Sequence, residues 1–256
     1  KLSASQKAFL LPVENEDMHM TEKHVPISKR LKAIAAFLSK GSYFLDIGSD
    51  HAYLPCYVCL NDLEAKAIAG EVNEGPYQSA KQTVCKYGLS ERIDVRLGDG
   101  LDVIGERDAP FELVIAGMGG TLIKQILEKG RAKRTEIKRI ILQPNIDERD
   151  ARIALLHLGY TITYEQLIKE NGHIYEIIIA DLLTNKKVEK WTDKELLLGK
   201  QLQREKGPLF IEKWQSERQA RKHILNQMKR AKKKNDEKIA RFELELSWIE
   251  EVLDDE

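Results

Sequence analysis

The chain has 256 residues, with 41 Lys and Arg balancing 41 Asp and Glu and 42% apolar residues, enough for one ordinary core and a smaller appendage. Its longest apolar runs, such as 113–116 and 177–180, fall far short of the roughly 20 residues a membrane helix needs, so no bilayer span and no membrane partner is expected. Three cysteines, Cys56, Cys59 and Cys85, are too few and odd in number for a disulfide scaffold, which points to a reducing compartment, the cytoplasm.

The opening KLSASQKAFLLPVENEDMHM has an apolar patch too short, and too soon followed by acids, for a secretory signal. Residues 1–19 are expected to be a flexible extension, with Met20 as the natural start. The stretch SKRLKAIAAFLSKG predicts a helix with Leu31, Ile34, Ala35 and Leu38 on one face. YFLDIG, AKAIAGE, RIDVRLGDG, FELVIAGMGG and RIILQPN then read as five buried parallel strands, each separated from the next by a helix. Gly88, Gly130 and Gly159 are stop signals for three of those helices. After Gly159, TITYEQLIKENGHIYEIIIADL reads as two strands joined at Glu170-Asn171-Gly172, an antiparallel hairpin. The fold class is therefore a doubly wound, Rossmann-like α/β sheet over residues 20–184 that ends in an antiparallel hairpin.

Residues 185–256 are expected to form a separate helical domain, entered through the polar linker TNKKVEKWTDKE. Ile239, Phe242, Leu246, Ile249 and Leu253 are spaced like the seam of a coiled-coil helix, and Phe210, Trp214, Ile224 and Met228 offer the partner stripe. With KKKND as the turn, the expectation is an antiparallel helical hairpin.

The loop DIGSDHAYLP follows the first strand, where ligands of such sheets bind. Gly48 allows a tight turn and a close approach to a ligand. The positions two and four residues on are Asp50 and Ala52, not glycines, and Asp50 would repel a pyrophosphate. A cationic cofactor without phosphates suits the loop better, and S-adenosylmethionine has that chemistry. Glu71, at the end of the second strand, can accept hydrogen bonds from two ribose hydroxyls, and Asp99, between Gly98 and Gly100, can reach the adenine amino group.

DIGSDHAYLP, IAGEVNEGPYQSA, GDGL, IAGMGGTLI and ILQPN, in that order, resemble the bacterial TrmK family of class I methyltransferases, which methylates N1 of adenine 22 in tRNA. The resemblance covers about 28–183 and implies cofactor contacts at Asp46, Gly48, Glu71, Asp99 and Gly100, with the backbone of Gly117, Met118, Gly119 and Gly120 closing the pocket. The Asn-Pro-Pro-aromatic signature of amino-group methyltransferases is absent from the end of the fourth strand, which favours a ring nitrogen as acceptor. Its lone pair can attack directly, so positioning matters more than a base. Asp50, His51, Gln143 and Asn145 are the candidate catalytic residues: Asn145 and His51 to hold the adenine edge, and Asp50 to meet the developing positive charge.

From residue 204 to 234 there are 11 Lys and Arg against 3 Glu, whereas residues 20–184 carry 21 basic and 23 acidic residues. That excess could grip a folded tRNA, with Arg230, Lys232, Lys233 and Lys234 as the candidate RNA contacts, or it could be no more than a solvated helix face. Cys56-x-x-Cys59 has no second cysteine pair, so no metal is expected and the two are read as buried helix residues. The rival readings are a methyltransferase for another RNA or a small molecule, a nicotinamide-dependent oxidoreductase, and a non-enzymatic helical module.

Overall fold

A computed structural model describes residues 24–133, 137–183, 190–231 and 235–254. Helix α1 (Lys29–Ala35) leads into strand β1 (Tyr43–Ile47), followed by α2 (Tyr53–Asn61), β2 (Lys66–Glu71), α3 (Glu74–Tyr87) and β3 (Ile93–Leu97). Next come β4 (Glu112–Gly119), α4 (Gly120–Lys129), β5 (Arg139–Ile146), α5 (Glu148–His157), β6 (Thr161–Glu170) and β7 (His173–Asp181). Four helices complete the described chain: α6 (Asp193–Leu198), α7 (Lys200–Glu205), α8 (Pro208–Arg230) and α9 (Asp236–Asp254).

The strands form one sheet in the order β3-β2-β1-β4-β5-β7-β6, parallel except that β7 runs against both neighbours. Strand alternation sends Phe44 and Val114 to one apolar layer and Leu45, Ile47 and Leu113 to the other, so helices must cover both faces. The chain winds outward from β1 to β3, then returns to β4 on β1's other side. The crevice of a doubly wound sheet therefore lies where β1 and β4 end.

The connection from β3 to β4 differs from expectation: it holds only a 3-10 turn over Gly100–Val103 instead of an α-helix. Arg96 pins this short link by pairing with Asp108, to which Tyr43 also donates at 3.1 Å. The two half-buried groups shift in opposite directions. Burial, then Asp108, push the Tyr43 hydroxyl up to about 12, while Arg96 holds Asp108 down at about 2.

Not all of the expected polar linker is loop. Thr192 and Glu195 form a capping box that starts α6. The helical part begins there and packs back on the sheet through a buried ionic cluster. Arg152 of α5 donates to Glu165 of β6 at 2.7 Å and pairs with Glu176 of β7, while Lys213 of α8 bonds Glu176 at 3.0 Å and Glu148 at 2.6 Å. Burial alone would lower the Lys213 ammonium, but Glu176 and Glu148 hold it above its usual value. Gly199, at φ +82, joins α6 to α7 beside this cluster, where a Cβ would lie 2.6 Å from the Arg152 guanidinium.

Helices α8 and α9 form an antiparallel hairpin, as the ion pairs Arg218–Asp254, Lys222–Glu250 and Lys229–Glu243 show by their opposed numbering. The expected stripe is corrected at one position: Ile224 is 41% exposed, and Leu225 is buried in its place. At about 100° per residue, Leu225 returns to within about 20° of Trp214 on the helix, whereas Ile224 lies about 80° away. The same ion pairs change the reading of the basic segment. Arg218, Arg221, Lys222 and Lys229 of α8 are paired with acids of α9, so much of the excess is neutralised within the hairpin. Arg230 is exposed at the end of α8; Lys232, Lys233 and Lys234 lie outside the described residues, as do residues 1–19.

Cys56 and Cys59 are both buried in α2, where burial raises their thiols to about 12 and about 11. Among the described residues no helix is long and apolar enough to cross a membrane, and no group of three or more His, Cys, Asp and Glu side chains is placed to hold a metal.

Candidate active site

β1 ends in a backbone that turns left-handed almost without pause. Gly48, Asp50, His51 and Ala52 have φ values of 68, 37, 59 and 54°. Glycine adopts this region freely and Asp and His adopt it more readily than most residues, but buried Ala52 has no such licence, so the loop holds strain at the mouth of a crevice. Two bonds to β2 oppose that strain: the Gly48 N–H to Gly70 O at 2.9 Å and the Asp50 N–H to Glu71 Oε1 at 2.5 Å. A Cβ on Gly48 would lie 2.2 Å from Met118 Cε, so only glycine lets this turn and the end of β4 approach one another.

The turn borders a cleft of about 370 Å³ lined by Asp46, Gly48 and Asp50 from its own side and by Gly117, Met118 and Asn145 from the ends of β4 and β5. Asp46 is 4% exposed and accepts from the Ser49 hydroxyl at 2.6 Å. Burial raises its carboxyl to about 7, Ser49 opposes the rise and Glu71 adds to it. Burial likewise raises Glu71, against the Asp50 N–H that favours its charged form. Two acids whose charge is disfavoured thus stand side by side, and a cation would relieve both.

The opposite wall is a hydrogen-bonded lattice. Gln143 is fully buried: its carbonyl accepts from the Gly117 N–H at 3.1 Å and from Arg30, and its amide donates to Pro144 O at 2.9 Å and Asn145 Oδ1 at 3.0 Å. Asn145, which is exposed, donates to Gly117 O at 2.8 Å and so presents a fixed amide to the cleft. Arg30 reaches from α1 to this lattice and lies over the Tyr175 ring at 4.9 Å.

Six of the expected residues, Asp46, Gly48, Asp50, Gly117, Met118 and Asn145, therefore meet in one cleft. Glu71 joins through Asp50, and His51 stands beside it, 3.6 Å from Asp50 and stacked on Tyr53. Gly119 and Gly120 sit one step away, at the start of α4, where a Cβ on Gly120 would lie 1.9 Å from Asp147 O. Gln143 shapes the wall from beneath. Asp99 and Gly100 line a separate hollow of about 180 Å³ between the 3-10 turn and α4, where Asp99 pairs with Lys129 at 2.6 Å. Arg30, Tyr53 and Tyr175 complete the cleft. Arg30 carries no local signal, because its partners lie 113 and 115 residues away.

The model of the tRNA (adenine(22)-N(1))-methyltransferase family matches residues 44–251. The curated enzyme of that name from Bacillus subtilis is 41% identical over 234 residues, spanning 89% of this chain and 97% of its own length. Among solved structures, a Streptococcus pneumoniae protein in complex with S-adenosyl-L-methionine superposes with a TM-score of 0.79 at 40% identity, covering 89% of this chain and 99% of its own. The TrmK of M. capricolum, in complex with S-adenosyl-homocysteine, gives 0.75 at 27% identity, covering 90% and 99%. A crevice at the β1/β4 switch point, with two buried carboxylates at a glycine turn and a fixed amide opposite, thus sits in a chain that belongs to the tRNA (adenine(22)-N(1))-methyltransferase family, TrmK.

Proposed function

We propose that this protein transfers a methyl group from S-adenosylmethionine to N1 of an adenine in tRNA, at position 22 by likeness to its relatives. One observation supports it above the rest: buried Asp46 and the Gly48 turn share a single cleft with Asn145, Arg30 and Tyr175. We read its place of work as the cytoplasm, where its free thiols stay reduced.

The residues present fit this cofactor. Asp46 and Glu71 are acids that a positive ligand would recharge, Gly48 leaves the turn open to close approach, and Asp50 at the loop disfavours phosphate. Asp46, Gly48 and Glu71 would hold it, the backbone of Gly117, Met118 and Gly119 would close over it, and Asp99 with Gly100 would meet its adenine once Asp99 leaves Lys129. Bound there, the cofactor supplies a methyl group on a positive sulfur, open to in-line attack.

Adenine N1 has a free lone pair in the neutral base, so no residue has to remove a proton first. The chain contributes position: Asn145, fixed by Gly117 and Gln143, and His51 beside the loop hold the adenine edge. The ring becomes cationic as the N–C bond forms, and Asp50, with an 81% exposed side chain, can offset that charge. Asp50→Asn and Asn145→Ala are each expected to lower turnover by about tenfold to a hundredfold with cofactor affinity unchanged. Full turnover in both variants would remove these two roles.

The reading is tested with methyl-labelled cofactor and two tRNA transcripts, one normal and one with adenine 22 replaced by guanine. Label in the normal transcript alone is expected. Label in both would keep the activity and reject the position.

A further inference from the structure

A second cleft, of about 470 Å³, opens between the β5–α5 loop and the α8–α9 hairpin, and Asn145 lines both it and the first. On its wall three arginines from three helices converge on one carboxylate. Arg149, Arg221 and Arg241 donate to Glu245 at 3.2, 3.0 and 3.1 Å. Glu245 is 6% exposed and has two oxygens, whereas each guanidinium has five N–H donors, so unused donors remain. Glu148 is engaged with Lys213, whereas Glu217, at 3.6 Å, and Asp193 pair with Arg221 and Arg149 and offset their charge, so Arg241, whose side chain is 64% exposed, is the arginine most open to the cleft. Lys238 adds a further charge at the rim.

We propose that this cleft holds the sugar–phosphate strand next to the target adenosine, with Arg241 and Lys238 as its phosphate contact and the donors of Arg149 and Arg221 behind them. The inference rests on the tRNA methyltransferase reading. N1 lies on the Watson–Crick edge, so the adenine must leave its pair and its stack to react. Its flanking phosphates then come within a nucleotide's reach of Asn145, where this cleft begins. Arginine forks suit phosphate oxygens, and buried Glu245 fixes their orientation before RNA arrives. Such contacts position the strand without reading its sequence.

The test uses the full chain and a tRNA transcript, with binding measured across about 50 to 200 mM salt. Arg241→Gln is the first variant, since that side chain is 64% exposed and its loss should leave folding intact. The slope of log affinity against log salt is expected to fall by about 1 for Arg241→Gln and by about 2 for Arg241→Gln with Lys238→Gln, while S-adenosylhomocysteine binding stays unchanged. Arg241→Lys should restore the slope. An unchanged slope, or an equal fall in the outward-facing control Lys222→Gln, overturns the cleft while methylation by the unaltered protein keeps the function standing. If the unaltered protein puts no label into any tRNA, the function falls first and the cleft falls with it.

Discussion

Asp46→Asn should make the protein more stable at pH 8 and a poorer cofactor binder, two changes of opposite sign from one atom exchange. Burial raises the Asp46 carboxyl from 3.8 to about 7. Below about pH 4 the group is neutral both folded and unfolded and contributes nothing to the pH dependence. Between pH 4 and 7 the unfolded chain releases the proton that the folded chain keeps, so stability falls as pH rises, and the full penalty is present above pH 7. At 1.36 kcal/mol per pKa unit that penalty reaches up to about 4 kcal/mol, and asparagine removes it while still accepting from Ser49. Thermal melts of both proteins at pH 4 and pH 8 should coincide at the lower pH and separate by up to roughly 10 °C at the higher.

Cofactor binding should move the other way. A charge-assisted contact contributes about 1.5–3 kcal/mol, so asparagine should weaken S-adenosylmethionine binding by about 10- to 100-fold. Because a cation favours the ionised carboxylate, affinity in the unaltered protein should tighten from pH 5.5 to 7, a window below about 7.7 where α-amino groups begin to titrate. Calorimetry across that window checks it. A pH dependence that survives in Asp46→Asn would assign the titrating group elsewhere.

Arg152→Ala should carry the largest loss of stability. The guanidinium is fully buried between Glu165 and Glu176, and it also donates to Leu196 O at 3.1 Å. Burial would lower the guanidinium, but Glu176 and Glu165 hold it above its usual value, and burial pushes Glu176 up. Removing the arginine leaves two carboxylates without their main partner in the interior, at a cost of about 3–5 kcal/mol, or roughly 10 °C in Tm. Arg152→Met combined with Glu165→Gln and Glu176→Gln should recover more than half, because the uncompensated charge is then gone. The cluster also sets the helical hairpin against the sheet through Lys213. Arg152→Ala should therefore weaken tRNA binding more than cofactor binding, measured below its own melting range.

The strands were legible because each apolar run is a local property: a chain segment buried on both faces has to be apolar at successive positions. The β6–β7 hairpin was legible for a similar reason, since Asn171 and Gly172 adopt the positive φ values that such a tight turn requires. The capping box at Thr192 was equally local and was read as linker, because its polar residues look the same in a loop. Ile224 suits the hairpin seam by its apolar side chain but not by its angle around the helix, which favours Leu225. The missing helix between β3 and β4 depends on contacts made across the sheet, where Arg96, Asp108 and Tyr43 hold a connection that passes β2 and β1.

What the sequence by itself determined is the sheet, its closing hairpin, the glycine turn after β1 and the acids at the strand ends. Each is specified within about ten residues, by periodicity or by backbone freedom. Only the tertiary structure decided that Arg30 joins Gln143 and Tyr175, that Asp99 pairs with Lys129, that acids of α9 neutralise the basic face of α8, and that Arg152 and Glu245 gather charges from separate elements. The physical reason is range: an ion pair or a shared cleft depends on which side chains packing brings within a few ångströms, and burial then sets how strongly each charge is felt.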